Sequence, residues 1–65
     1  MNIADAQARL HDARWSTGDA AILDGETMIW QVYCHRDETK LLACGLSRAE
    51  AWAAAAQMAA AVDVL

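Results

Sequence analysis

The chain has 65 residues, a formal net charge of −4, 57% hydrophobic residues, two cysteines and no proline. That length allows one domain, residues 1–65, which buries only about 60% of the surface its unfolded chain exposes, and leaves no room for a second domain or a deep substrate cleft. Nine acids against five Lys plus Arg exclude the basic footprint of a double-stranded nucleic-acid binder, because phosphate neutralisation supplies most of that affinity.

Asn2 is placed to cap a first helix, with Asp5 in its first turn at the positive helix end. Ile3, Ala6, Leu10 and Ala13 recur at helical spacing and make one apolar stripe, outside which fall Gln7, Arg9, Asp12 and Arg14. The helix is expected to stop near Arg14 or Trp15, because Ser16-Thr17-Gly18-Asp19 reads as a loop. Ala20 to Leu23 is a short strand. Asp24-Gly25 suits a type I′ hairpin turn, whose central residues need positive φ. Thr27 to Arg36, TMIWQVYCHR, is the strongest strand, rich in β-branched and aromatic residues. Asp37-Glu38-Thr39 is a second turn and Lys40 to Cys44 a third strand. After Gly45, Ser47-Arg48-Ala49-Glu50 is a capping box that opens an alanine-rich helix running to Val62.

The order α-β-β-β-α predicts an α+β fold. It is a single two-layer domain, a three-stranded antiparallel meander with both helices on one face. Alternation puts Met28, Trp30, Val32 and Cys34 on the core face of the long strand, and Ile29, Gln31, Tyr33 and His35 on the other. With a three-residue second loop, Cys34 and Cys44 are expected to share one face and Leu42 joins the core. Leu41 and Ala43 then join Ile22, Thr27, Ile29, Gln31, Tyr33 and His35 on a half-apolar outer face that no element remains to cover. In the last helix Trp52, Ala55, Ala59 and Val62 form the buried stripe, with small alanines allowing close approach to the sheet and Trp52 filling the remaining gap.

Chemistry is sparse. Cys34-His35 and Cys44 lack the paired spacing of a structural zinc site, and Cys34 and His35 point to opposite faces, so no metal and no cofactor are expected. A Cys34–Cys44 disulfide is geometrically open; in a reducing compartment two buried thiols are the default. Ser16, Ser47 and the threonines have cap or turn roles and no base aimed at them, so no enzyme is expected. Met1 to Asp5 carries neither a basic nor an apolar leader pattern, and the apolar run Ala51 to Val62 is short of the roughly 20 residues of a membrane span. The expected location is the cytoplasm, with no membrane partner. The acids are expected to gather at two ends of the sheet: Asp24, Glu26 and Glu50 at one, Asp19, Asp37 and Glu38 at the other.

The element order and length resemble a double-stranded RNA-binding domain, most closely over Leu41 to Leu65. There a strand, a glycine and Ser47-Arg48-Ala49-Glu50-Ala51-Trp52 are similar to its third strand and second helix. That family reads phosphates with lysines at this helix start, where the present chain has Arg48 beside Glu50. The basic loop of the family is here Asp24-Gly25-Glu26. The resemblance therefore implies a scaffold for protein contact or homodimerisation, without direct nucleic-acid binding. As a single small acidic domain, the chain also resembles, at the level of class, the small anti-CRISPR proteins of phages and mobile elements. That resemblance implies a partner with a basic protein surface, a Cas subunit of a type I CRISPR effector, and inhibition by blocking target-DNA recruitment. On this reading Asp24, Glu26, Asp37 and Glu38 steer electrostatically, Ile29 and Tyr33 anchor, and the chain is a monomer or weak homodimer.

Overall fold

The structure is a computed structural model that describes residues 1–64. Leu65, the last residue of the expected domain, lies outside the described residues. The elements are α1 (Ile3–Asp12), β1 (Ser16–Asp24), β2 (Thr27–Arg36), β3 (Thr39–Gly45) and α2 (Arg48–Val64). The strands form one antiparallel sheet in the order β1-β2-β3. Both helices pack on one of its faces, so this is the α+β meander expected.

Each helix begins as its cap residue dictates. Asn2 Oδ1 accepts from the Asp5 amide at 2.8 Å, and Ser47 Oγ accepts from the Glu50 amide at 3.1 Å, each satisfying an amide that the first turn leaves unpaired. The return half of the capping box lands one residue early. Glu50 Oε2 accepts from the Leu46 amide at 3.2 Å, not from Ser47.

The end of α1 is a correction. The helix stops at Asp12, with Ala13 as C-cap and Arg14 in the left-handed region at φ 70°. The Trp15 amide donates to the Leu10 carbonyl and the Arg14 amide to the His11 carbonyl, both at 2.9 Å. These two bonds define a Schellman motif, in which the left-handed position is usually glycine. With the chain reversed there, Ser16 to Asp19 is not a loop but the first half of β1, paired residue by residue from Ser16↔His35 to Asp24↔Thr27.

Both turns also differ from expectation, with unequal consequences. The first loop is Gly25-Glu26, flanked by the Asp24↔Thr27 pair, and Gly25 has φ 64° while Glu26 is not at positive φ. Glycine first, with one positive φ, is the type II′ pattern and not I′. The second turn is Asp37-Glu38, with Asp37 at φ 55°, closed by Arg36↔Thr39. This loop has two residues, not three. A one-residue slip moves every following side chain to the other face. Accordingly Cys34 lies opposite Leu41, Ala43 is buried opposite Val32, and Leu42 is 46% exposed opposite Tyr33. Cys44 is exposed and pairs with Gln31. Cys34 and Cys44 therefore occupy opposite faces, and neither the disulfide nor two buried thiols is what forms.

The core is thin and built on close approach. Ala51, Ala55 and Ala59 carry one face of α2 into contact, joined by Trp52 and Ala56 and by Ala6, Leu10, Trp15, Val32, Cys34 and Ala43. Gly45 makes the approach possible. A Cβ there would lie 2.6 Å from the Ala51 amide nitrogen and 2.9 Å from Glu50 Cβ. Two polar contacts then lock the layers. Asp19 Oδ2 accepts from Arg48 Nε at 2.6 Å and from Trp52 Nε1 at 3.0 Å, tying the start of α2 to β1. Arg36 donates to the Ala13 carbonyl at 2.8 Å, pairs with Asp63 and stacks on the Trp15 ring with 4.2 Å from guanidinium carbon to centroid, joining both helix C-termini to β2.

Candidate functional site

The sheet is longer than the layer that covers it. β3 ends at Gly45, opposite Trp30, and α2 begins just beyond. The last three pairs of the first hairpin, Ile22↔Ile29, Leu23↔Met28 and Asp24↔Thr27, have no third strand beside them. They form a two-stranded ribbon in which every residue from Ala21 to Met28 is exposed. Met28, expected in the core, is 46% exposed for this reason. Leu23 beside it is 66% exposed, and Leu46 at the same end is 71% exposed. On the opposite face Ile22 is 41% exposed and Ile29 half-buried. A ribbon apolar on both faces is uncommon in solvent, and clustered exposed apolar groups mark contact surfaces.

The outer face continues from this ribbon along the sheet. Tyr33, 48% exposed, stands between Gly18 on β1 and Leu42 on β3. Its hydroxyl donates to Gln31 Oε1 at 2.9 Å, which fixes the ring along the strand. Ile29 and Tyr33 thus share this open face.

The acids do not form one cluster. Asp24 and Glu26 sit at the ribbon tip, and Asp37 and Glu38 sit in the other turn. The length of β2 separates them, roughly 30 Å at about 3.3 Å per residue. Asp19, expected beside Asp37 and Glu38, is instead mid-strand opposite Val32 and engaged by Arg48 and Trp52. Those donors hold its carboxyl below the ordinary range, and the Arg36 guanidinium does the same to Asp63.

The cations are unevenly spread as well. Arg36 and Arg48 are committed to internal pairs. Among the described residues this leaves Arg9, Arg14 and Lys40 as the other Lys and Arg side chains. Ala13, Arg14, Ser16, His35, Arg36 and Asp37 line an open polar depression at the end remote from the ribbon tip. The ribbon end is therefore acidic and apolar, and the far end is mixed with most of the free positive charge.

Among the described residues no group of three or more His, Cys, Asp or Glu is placed to hold a metal ion. Burial pushes the Cys34 thiol up, away from the reactive thiolate. Trp15 Nε1 is buried without a hydrogen-bond partner. No helix among the described residues is long and apolar enough to cross a membrane.

Sequence reasoning missed Leu23, Leu42 and Leu46 as exposed groups at these surfaces. Leu42 was hidden by the turn register. Leu23 and Leu46 depended on where α2 begins relative to the hairpin tip, a distance no local pattern encodes. In comparisons with known proteins, no family model, no curated protein and no solved structure matches the chain.

Proposed function

We propose that the chain is a non-enzymatic inhibitor that docks on a basic protein surface of a nucleic-acid-handling complex. The specific partner proposed is a Cas subunit of a type I CRISPR effector, with target-DNA recruitment blocked. The observation that supports this reading is the ribbon end, where Asp24 and Glu26 crown a hairpin with apolar side chains on both faces. Carboxylates at a projecting tip attract a surface that otherwise holds phosphates, which speeds encounter and selects the partner. Leu23, Met28, Ile29 and Tyr33 supply the apolar contact that charge alone does not. Asp37 and Glu38 lie too far away for the same contact and contribute to the long-range field only.

The alternative is a double-stranded-RNA-binding-like scaffold used for protein contact. The α-β-β-β-α order and the open outer face favour it, whereas its phosphate-reading cations are replaced by Arg48, which is bound to Asp19.

Target-DNA binding by a purified type I effector, followed by gel shift with increasing amounts of the chain, tests the proposal. The wild-type chain is expected to abolish the shifted band, and Asp24→Lys with Glu26→Lys to lose that effect while keeping the fold. Inhibition that survives the double reversal would remove the acidic tip from the mechanism. DNA binding unaffected by the wild-type chain would remove the type I effector as the partner.

A further inference from the structure

We infer that the free edge of β1 is a self-association site, at which a second copy of this chain adds its own β1 antiparallel to form a continuous six-stranded sheet. This inference stands on the edge itself; a dimer so formed occupies Asp24 at the ribbon tip and competes with the partner proposed above.

An edge strand presents a row of unpaired amides and carbonyls, and proteins that remain monomeric guard it with lysine, proline, a bulge or a covering element. β1 has no lysine, proline or bulge, and of its two charges Asp19 is neutralised within the chain by Arg48 and Trp52 while Asp24 stands at the strand's end. Its nine residues, STGDAAILD, contain no cation and no proline, and its register with β2 is unbroken from end to end. Eight of the nine are exposed and Ala20 is half-buried. The other edge, β3, is shorter, carries Lys40 and is packed under α2.

The strand is also complementary to itself. Pairing about a two-fold axis at Ala20 uses its whole length and sets Ser16 against Asp24, Gly18 against Ile22 and Asp19 against Ala21, with no acid opposite an acid. On the outer face Tyr33 already lies beside Gly18, which has open space where a Cβ would stand. The second copy's Ile22 would fill that notch, next to the Tyr33 ring. The row Leu42, Tyr33, Gly18 then continues into Ile22 and Ile29 of the second copy, and its mirror row runs the other way. An aromatic ring beside an edge glycine and a cross-strand aliphatic is a favourable sheet pairing.

Charge follows the same arrangement. Asp24 arrives beside Ser16 of the second copy, on the row that continues through His35 to Lys40. The acidic ribbon tip of each copy thus meets the depression lined by Arg14, Ser16 and His35 of the other, although Asp37 lines it too. The two-stranded ribbon gains a third strand at the place where its own sheet provides none.

Sedimentation equilibrium from micromolar to near-millimolar protein tests the inference. The expected mass rises to twice 7.0 kDa for the wild type and stays at 7.0 kDa for Ile22→Lys and for Ala20→Lys, which places two ammonium groups across the axis. Circular dichroism identifies any variant that has not folded; Ile22, being exposed, keeps the test valid if Ala20→Lys does not fold. In a Cys44→Ser background, Ala20→Cys is expected to cross-link to itself with a short bismaleimide. A wild type that remains monomeric throughout overturns the inference. So does a dimer that persists in a folded lysine variant, or one whose residues 20 do not cross-link.

Discussion

The two ends of this small sheet are built on opposite principles. At the far end, β2 and both helix C-termini converge on Arg36 and the Trp15 ring, and at mid-sheet Asp19, Arg48 and Trp52 fasten the start of α2. Beyond Gly45 the same hairpin runs on as a bare ribbon with Leu23, Met28 and Ile22 in solvent. The difference teaches that the chain holds its fold with one part of the sheet and leaves the other exposed. Clustered exposed apolar groups mark contact surfaces, and we propose that the ribbon is one.

Substitutions divide along that line. The largest effect is expected from Trp52→Ala, which removes a buried ring and its hydrogen bond to Asp19. A loss of about 3–5 kcal/mol is the usual range for a buried aromatic, enough to leave much of a marginal domain unfolded in urea titration. Gly45→Ala is next, at about 1–3 kcal/mol for an overpacked site, because the new methyl would meet the backbone of α2.

Acid probes the polar fastenings. The carboxyls of Asp19 and Asp63 are both lowered in the folded chain, Asp19 mainly by its Arg48 hydrogen bond and Asp63 mainly by Arg36. A lowered folded value means the stabilisation is complete above the unfolded value, about 3.9. It drains away as pH falls from there through the folded value. Urea midpoints measured downward from pH 6 should therefore drop most steeply below about pH 4, and Asp19→Asn should make that drop shallower. A profile unchanged by Asp19→Asn would contradict the assignment.

The smallest effect is expected at the ribbon. Leu23→Ser should change stability by no more than about 0.5 kcal/mol, the range for exposed positions. A larger loss in dilute solution would mean that the ribbon is part of the core after all, and would erase the contrast between the two ends.

The parts of this fold legible in the sequence are those set by local chemistry. Asn2 and Ser47 announce their helices, and TMIWQVYCHR can hardly be anything but a strand. The spacing of Trp52, Ala55 and Ala59 marks the buried face of α2. What was not legible depends on distant residues or on exceptions to local rules. Arg14 ends α1 in a conformation that glycine ordinarily signals, so the composition does not mark the stop at Asp12. Ser16 to Asp19 has turn-like composition but is drawn into β1 by pairing with Val32 to His35. The two-residue turn at Asp37-Glu38 could not be told from a three-residue one, and that single residue exchanged Leu42 for Leu41 and Ala43 in the core. Of the candidate contact residues, Ile29 and Tyr33 do share the open face. The acids divide between two ends, because a ten-residue strand lies between their turns.

The central claim is that the uncovered end of the molecule exists to bind another protein. A tagged pull-down from nuclease-treated bacterial lysate containing a type I CRISPR effector, with bound proteins identified by mass spectrometry, tests it most directly. The account predicts stoichiometric recovery of one Cas subunit by the wild-type chain, and its loss with a folded Asp24→Lys, Glu26→Lys variant. Recovery of the bait alone, or capture that the double variant leaves intact, would contradict it.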